Sequence, residues 1–425
     1  MKNKRHWLAT GISLILFFTL FWLITTENNW IWPVRNILQY RLLTLWQGGP
    51  MQPKTDFPGT LQGIVTDTQG NAIEGAWILV AQPDGTTHST RSNADGQYLI
   101  EHIPPGTYRP VAAAPDYESV QFGGFLKRIT IRSGTILNAD VTLPAETPRM
   151  VSPGQDFWLD DPQELTCTQP IKSSGIRRQI HFQSGGQPNQ PSFYYTPITA
   201  TATSQLPTLL IIYPGPADSW ECASLPLTAA GYVVLATGPA YSFDLEADID
   251  EQVRILDFAR EHKFPGSDGS NIAILGGSYS SLHVQRLLQR GQNVKAAVLL
   301  GPPTDLFDMR RRLENGTYVP PFGLDQALIA MGLPNQEPLH YWLYSGAYHV
   351  RNDFPPLAIL HSRSDEVVPY QQSQLLAANL DRVGASYEIH FFDGASHYLL
   401  AEDSDEDTLR IYEITLNFLA QQLQK

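Results

Sequence analysis

Short apolar runs alternate with amphipathic helical patterns from about residue 170 to the end of the sequence. The runs TLLIIY, YVVLAT, NIAILGG, KAAVLL, LAILHS and YEIHFF contain few charged residues, which is typical of strands covered on both faces of a parallel sheet. A predicted hairpin, IRRQIHFQ and SFYYTP, precedes them. This alternation restricts the fold to the α/β class, with a mostly parallel sheet and helices on both faces.

One of these strands changes into a helical pattern across a turn rich in glycine and serine. Residues 271–287 read NIAILGGSYSSLHVQRL, and Ser278 lies at the turn. A sharp strand-to-helix turn is the context of a nucleophile elbow, and Gly276 and Gly277 remove Cβ atoms that would oppose it. The last motif position holds Ser280 where glycine is usual. Taken alone, Ser278 is either a nucleophile or a polar turn residue.

Two later residues distinguish these alternatives. Asp365 follows the apolar run LAILHS, and His397 lies in the loop after YEIHFF. The order serine, aspartate, histidine, each past the carboxyl end of a strand, is that of α/β-hydrolases. We predict Ser278 as nucleophile, His397 as general base and Asp365 as the carboxylate that orients the base. Glu366 is the alternative acid, because loop positions are easily misread by one residue.

An oxyanion site requires hydrogen-bond donors beside the nucleophile. The backbone N–H of Tyr279 is one expected donor, because it follows the nucleophile directly. The loop after TLLIIY supplies the other, and it reads Tyr-Pro-Gly-Pro-Ala over residues 213–217. Proline has no N–H. The candidates are therefore the Gly215 amide, the Ala217 amide and the Tyr213 hydroxyl.

The stretches IIYPGP, GGSYSS, HSRSDEVVP and DGASH resemble the catalytic domain of the prolyl oligopeptidase family of serine peptidases and of its dienelactone-hydrolase-like relatives. The resemblance covers about residues 200–425 and implies an α/β-hydrolase fold with Tyr213 as an oxyanion donor. Dienelactone hydrolases proper use cysteine, and Ser278 departs from them. The family's β-propeller needs several blades, for which the chain has no room. Peptidase specificity is therefore not implied.

Residues from about Thr60 to Leu143 have the pattern of short strands separated by turns such as DTQGN, NADG and PPGT. This predicts a small antiparallel β-sandwich. GIVTDTQGNAIEGAWILV and NADGQYLIEHIPPGTY resemble the carboxypeptidase regulatory-like domain, which implies a non-catalytic spacer or a module for an unknown partner. We expect a membrane or signal segment at 1–28, a linker at 29–58, the sandwich at 59–145 and the hydrolase at 146–425, with a small helical cap at about 303–353.

The amino terminus has the pattern of a membrane anchor. Three basic residues precede an uncharged run from Trp7 to Thr25, which as a helix would span roughly 28 Å, close to a bilayer core. The basic flank predicts a cytoplasmic amino terminus and an exoplasmic catalytic domain, periplasmic or extracellular. A cleaved signal peptide, which would make the protein secreted, and a buried core helix are the alternatives.

Composition excludes several classes of function. The net charge is −13, and residues 151–425 taken alone carry about −14, which argues against nucleic-acid binding. No cysteine or histidine spacing typical of zinc is present, and we expect no cofactor. Cys167 and Cys222 either pair or stay free. The sequence predicts a serine hydrolase of a small-molecule ester or of a peptide; the alternative is a non-catalytic envelope or surface binding protein with a relic hydrolase fold.

Overall fold

The computed structural model describes residues 57–184, 187–188, 190–239, 244–318, 331–394, 397 and 406–423, together with isolated positions before residue 50. The chain divides into two compact units. The first comprises Met1–Ala114, Glu118–Pro144 and Phe307–Tyr341. The second comprises Pro115–Tyr117, Ala145–Leu306 and Trp342–Lys425.

The first unit contains a sandwich of short strands. These are β1 (Gly59–Asp67), β2 (Trp77–Ala81), β3 (Thr87–Arg91), β4 (Gln97–Ile103), β5 (Gly106–Tyr108), β6 (Val111–Ala113), β7 (Val120–Gln121), β8 (Ile129–Ile131), β9 (Ile136–Asn138) and β10 (Val141–Leu143). One sheet has the order β10-β1-β4, with β9 also pairing with β1, and another has the order β3-β2-β6-β7. A two-stranded sheet joins β5 to β8. Leu61, Val65, Ile78 and Val80 are fully buried between the strands.

Two features of the sandwich differ from the prediction. β1 pairs in parallel with β9 and with β10, whereas an antiparallel sandwich was expected. The reason is that β9 follows β8, which pairs with β5, so the chain returns to β1 by a crossover and not by a hairpin. The pattern also missed β3, because its sequence THSTR has no apolar alternation.

The second unit is built on a large mixed sheet. Its strands are β11 (Gln155–Leu159), β12 (Gln163–Cys167), β13 (Ser173–Ser184), β14 (Gln187–Pro188), β15 (Ser192–Thr196), β16 (Leu206–Ile212), β17 (Val233–Thr237), β18 (Ser267–Gly277), β19 (Ala296–Leu300), β20 (Leu357–Ser362) and β21 (Tyr387–Phe392). The helices of the chain after the sandwich are α1 (Glu221–Ala229), α2 (Leu245–Arg260), α3 (Ser280–Gln289), α4 (Leu306–Asn315), α5 (Pro338–Leu343), α6 (Gln371–Val383) and α7 (Glu406–Gln422).

The strand order of this sheet is β11-β13-β15-β17-β16-β18-β19-β20-β21. β13, β15 and β17 pair antiparallel, and all pairs from β17 to β21 are parallel. Every residue of β17, β19 and β20 is buried, as expected when both faces of a sheet are covered. This arrangement is the α/β-hydrolase fold, so the predicted fold class is confirmed together with the β-sandwich region. The carboxyl ends of the parallel strands carry the loops described below.

Three further predictions concern the pairing of the two cysteines, the helical cap and the amino-terminal span. Cys167 in β12 and Cys222 in α1 form a disulfide, with their Cα atoms 5.5 Å apart, so the question of their pairing is answered. Helices α4 and α5 fall within the predicted cap, of which residues 319–330 lie outside the described residues. Among the residues whose structure is described, no helix has both the length and the apolar character needed to cross a bilayer. Most of the predicted span from Trp7 to Thr25 lies outside them.

Candidate active site

Ser278 lies in a strained turn between β18 and α3. Its φ is +54°, a left-handed conformation that costs a residue with a side chain roughly 1–2 kcal/mol. The turn is held by its neighbours, because Ser278 N–H donates to Leu300 O at 2.8 Å and Ser281 N–H donates to Ser278 O at 3.1 Å. A Cβ on Gly276 would lie 2.8 Å from the Ser280 carbonyl oxygen. The strain and the close approach are those expected of a nucleophile elbow.

Ser280, where the motif usually has glycine, is fully buried and hydrogen-bonded. Its Oγ accepts from Gly277 N–H at 3.2 Å. The same Oγ lies 2.8 Å from Gly277 O and 2.5 Å from Ile212 O, and its single proton serves one of these carbonyl groups at a time. The hydroxyl therefore connects the end of β16 to the elbow. Serine at this position adds hydrogen bonds to the turn and is compatible with its close packing.

The structure brings Ser278, His397 and Asp365 together from three separate loops. His397 Nε2 lies 2.6 Å from Ser278 Oγ. On the other side of the ring, Nδ1 lies 2.8 Å from Asp365 Oδ2 and 3.0 Å from Oδ1. His397 and Asp365 are 6% and 8% exposed. Neutral histidine with its proton on Nδ1 satisfies both contacts, because Nδ1–H then donates to the carboxylate and Nε2 accepts the serine proton.

Asp365 is held in place and kept ionised by its surroundings. Its Oδ1 accepts from the backbone N–H groups of Val367 and Val368 at 2.8 and 2.7 Å. His361 Nε2 lies 3.2 Å from Oδ2. Burial raises the pKa of the Asp365 carboxyl, but the hydrogen bonds from His361 and His397 outweigh burial and hold the pKa well below its usual range. The group is therefore a carboxylate at neutral pH.

Glu366, the alternative acid, makes a different contact. Its Oε2 accepts from the backbone N–H of His397 at 3.1 Å. The imidazole ring of His397 is contacted by Asp365 and not by Glu366. Glu366 thus fixes the chain of the histidine loop, whereas Asp365 fixes the ring.

Gly301 is a site residue that the sequence reasoning missed. It follows β19, its φ is +52°, and its N–H donates to Leu360 O at 2.8 Å. A Cβ built on it would lie 3.2 Å from Asp365 Oδ2 and 3.7 Å from His397 Nδ1. A side chain there would press on the contact between the carboxylate and the imidazole. The available signal was a glycine at the carboxyl end of a predicted strand.

The loop that carries the predicted oxyanion donors starts beside the elbow. Ile212 at the end of β16 is paired with Gly276 of β18. Within the described parts of the chain, the amides of Tyr279, Gly215 and Ala217 have no hydrogen-bond acceptor. Their role as oxyanion donors stays a prediction.

Tyr213 has a different environment from the one that the resemblance implies. Its hydroxyl pairs with Ser224 Oγ at 2.8 Å, and its ring stacks on Trp220 with the ring centroids 5.4 Å apart. The side chain is only 1% exposed, and burial raises the pKa of its phenol. Either oxygen of this pair can be the donor, and the Tyr213 hydroxyl has a proton for an oxyanion only when Ser224 donates between them. The oxyanion role of Tyr213 therefore stays a prediction.

A buried histidine and a buried aspartate lie next to the elbow. The ring of His283 in α3 packs edge-on against Tyr279, with the centroids 5.2 Å apart. His283 Nε2 lies 3.4 Å from Asp248 Oδ2 of α2.

In the part of the chain with described structure, no cluster of three or more histidine, cysteine or acidic residues has the arrangement of a metal site.

The fold and the site define a serine hydrolase, either a peptidase or an esterase. Residues 245–425 match the prolyl oligopeptidase family, and residues 60–144 match the carboxypeptidase regulatory-like domain. The chain therefore carries a carboxypeptidase regulatory-like domain followed by a prolyl oligopeptidase family domain. Both resemblances predicted from the sequence are confirmed.

Several solved structures are similar to part of the chain. Esterase 2 of Thermogutta terrifontis, phosphonylated by sarin, is 17% identical and has a TM-score of 0.45, over 55% of this chain and 91% of that one. An acetyl ester-xyloside bifunctional hydrolase from Caldicellulosiruptor lactoaceticus is 19% identical with a TM-score of 0.45, over 54% and 87%. A truncated carbohydrate esterase from gut microbiota is 21% identical with a TM-score of 0.46, over 55% and 91%.

Proposed function

We propose that the protein hydrolyses an ester or amide bond through an acyl-enzyme formed on Ser278. The observation that carries this proposal is the continuous chain of contacts from Ser278 Oγ through His397 to Asp365, at 2.6 and 2.8 Å. A serine hydroxyl is a weak nucleophile until a base takes its proton. Here the base has its other nitrogen occupied by a buried carboxylate, which keeps Nε2 free to accept that proton.

In the acylation half-reaction, Ser278 Oγ bonds to the substrate carbonyl carbon while its proton moves to His397 Nε2. The carbonyl oxygen becomes an oxyanion, for which the free amides of Tyr279 and Gly215 are suitable donors. The imidazolium is stabilised by Asp365. When the intermediate collapses, the bond to the leaving group breaks, and the departing alcohol or amine takes the proton from His397.

In the deacylation half-reaction, water attacks the acyl carbon and gives a proton to His397. The ester bond to Ser278 breaks, the acid product leaves, and Oγ recovers the proton. No cofactor enters either half-reaction. All steps use the same three side chains.

The nucleophile is tested with a fluorescent fluorophosphonate, which labels activated serines. We expect strong labelling of the wild type and none of Ser278→Ala. Ser270→Ala is the matched control, because Ser270 lies exposed at the start of the same strand, and it should be labelled like the wild type. Equal labelling of wild type and Ser278→Ala would refute the assignment of Ser278 as the nucleophile. No labelling of a folded wild type would favour the non-catalytic alternative.

The leaving group is not determined by these residues, because esterases and peptidases of this fold use the same catalytic groups. Parallel assays with p-nitrophenyl esters of increasing acyl length and with aminoacyl-nitroanilides distinguish the two. Turnover of esters alone indicates a carboxylesterase. Turnover of nitroanilides with comparable kcat/KM indicates a peptidase.

We further propose that Trp7–Thr25 anchors the chain in a membrane, with the hydrolase on the exoplasmic side. The basic residues ahead of the run support this orientation, and the Cys167–Cys222 disulfide is consistent with an oxidising compartment. Alkaline carbonate extraction tests the anchor. Retention in the membrane pellet is expected, and release of a chain shortened at its amino terminus would indicate a cleaved signal peptide.

A further inference from the structure

A loop of the sandwich carries two large apolar side chains into solvent. This Phe125 loop, residues 123–128 with the sequence GGFLKR, joins β7 to β8. Phe125 is 87% exposed and Leu126 is 57% exposed, whereas Phe122 and Ile129 on either side are 4% and 6% exposed. The loop thus has an apolar tip and two flanks that are anchored in the core.

The backbone of the loop is closed and strained. Gly124 N–H donates to Arg128 O, and Lys127 N–H donates to Gly124 O, both at 3.0 Å. Leu126 and Lys127 have φ values of +56° and +55°, a conformation that residues with side chains rarely adopt. Such strain persists only where the surrounding structure imposes it, and it is common at binding sites. The loop therefore holds its apolar tip outward in a defined shape.

Three exposed basic residues follow this tip along the chain. Lys127 and Arg128 belong to the loop, Arg132 follows β8, and no acidic residue occurs between Gln121 and Asn138. Within the described residues, no carboxylate forms a salt bridge with any of these three cations. An exposed apolar tip followed by exposed cations is complementary to an anionic lipid surface, where the apolar groups enter the interface and the cations meet the headgroups.

The position of the sandwich in the chain favours a membrane as the partner. About 30 residues separate the predicted span, which ends at Thr25, from Phe57. Even fully extended, this linker spans roughly 100 Å, so an anchored sandwich stays close to the bilayer at a high effective lipid concentration. We propose that the Phe125 loop docks the sandwich on the anionic membrane surface, an inference that rests on the proposed anchoring.

The experiment uses the full chain in vesicles, with an environment-sensitive nitrobenzoxadiazole label on Phe125→Cys. The native cysteines form a disulfide, so the introduced thiol is the labelling site under non-reducing conditions. Thr68→Cys, in the exposed turn between β1 and β2, is the matched control. Flotation of each chain with the vesicles measures anchoring separately from loop insertion.

On vesicles of phosphatidylcholine and phosphatidylglycerol, we expect a blue shift of the label at position 125 and quenching by a nitroxide-bearing lipid. The label at position 68 should stay accessible to aqueous iodide. Changing Lys127→Gln and Arg128→Gln should weaken the response on anionic vesicles by roughly five-fold for each charge removed. Vesicles of phosphatidylcholine alone should give the weaker response without further effect of these substitutions.

Three results would overturn the proposal. Flotation without lipid quenching at position 125 would leave the anchor intact and exclude docking by the loop. A blue shift that occurs without lipid and resists the lipid quencher would mean that the loop docks on protein. Failure of both flotation and quenching would contradict the anchor and the loop together.

Discussion

Asp365→Asn is expected to abolish most activity while leaving the fold intact. The amide oxygen can still accept from the N–H groups of Val367 and Val368, which now lie 2.8 and 2.7 Å from Oδ1. The amide nitrogen then replaces Oδ2, which lies 2.8 Å from His397 Nδ1. Because that nitrogen is a donor, Nδ1 must become the acceptor and the proton must move to Nε2. The histidine then has no lone pair for the Ser278 proton.

The size of the loss follows from the wrong tautomer. A triad with its acid replaced by an amide loses roughly 10³–10⁴ in kcat, which corresponds to about 4–5.5 kcal/mol of transition-state stabilisation at 1.36 kcal/mol per tenfold. The assay is kcat for a p-nitrophenyl ester between about pH 5 and 9, with circular dichroism as the check on folding. KM should change much less than kcat, because the amide does not alter the volume of the side chain.

Glu366→Gln is the matched control, because it changes the neighbouring acid, whose contact is the backbone N–H of His397. The amide oxygen of glutamine can still accept from that N–H, so kcat should stay within about tenfold of the wild type. If Glu366→Gln lost as much activity as Asp365→Asn, or if Asp365→Asn stayed within tenfold of the wild type, the assignment of the acid would be refuted.

The remaining predictions concern stability and neighbouring residues. The pKa of Asp365 is depressed in the folded state, so its ionisation stabilises the fold above the unfolded pKa of about 3.9, and this stabilisation is lost as the pH falls from there through the folded pKa. Urea unfolding at several acidic pH values should show this loss of stability for the wild type and not for Asp365→Asn. Gly301→Ala should lower kcat by more than about tenfold, because the new methyl group contacts the Asp365 carboxylate and the residue is also strained at positive φ. Gly291→Ala, which is also at positive φ but in open space, should lower only the melting temperature. Equal activities of the two variants would contradict a functional effect of the contact at Gly301. Tyr213→Phe should lower the free energy of unfolding by about 1 kcal/mol with kcat within tenfold; a hundredfold loss of kcat at unchanged stability would instead support the oxyanion role. Ser280→Ala should lower the free energy of unfolding by about 1–2 kcal/mol in denaturant titrations while fluorophosphonate labelling persists, and loss of labelling in a folded variant would contradict a purely structural role.

Much of the α/β fold was predictable because buried parallel strands have a distinctive composition. The order of Ser278, Asp365 and His397 was also informative, because loops at the carboxyl ends of parallel strands converge on one edge of the sheet. The antiparallel expectation for β9 and β10 was wrong because strand pairing depends on how the chain crosses between sheets. Local sequence patterns do not indicate how the chain crosses from one sheet to another.

The class of fold, the order of the candidate catalytic residues and the apolar character of Trp7–Thr25 follow from the amino-acid sequence, because they depend on periodicity and on the chemistry of single residues. The folded structure was needed to choose Asp365 over Glu366 as the partner of the His397 ring and to pair Cys167 with Cys222. It was also needed to find Gly301 against the carboxylate and the exposed apolar tip of the Phe125 loop. Each of these depends on distances between segments far apart in the chain. The strength of a hydrogen bond or of a steric contact changes when the distance between the two atoms changes by a few tenths of an ångström. No pattern of residue types along the chain specifies distances that closely.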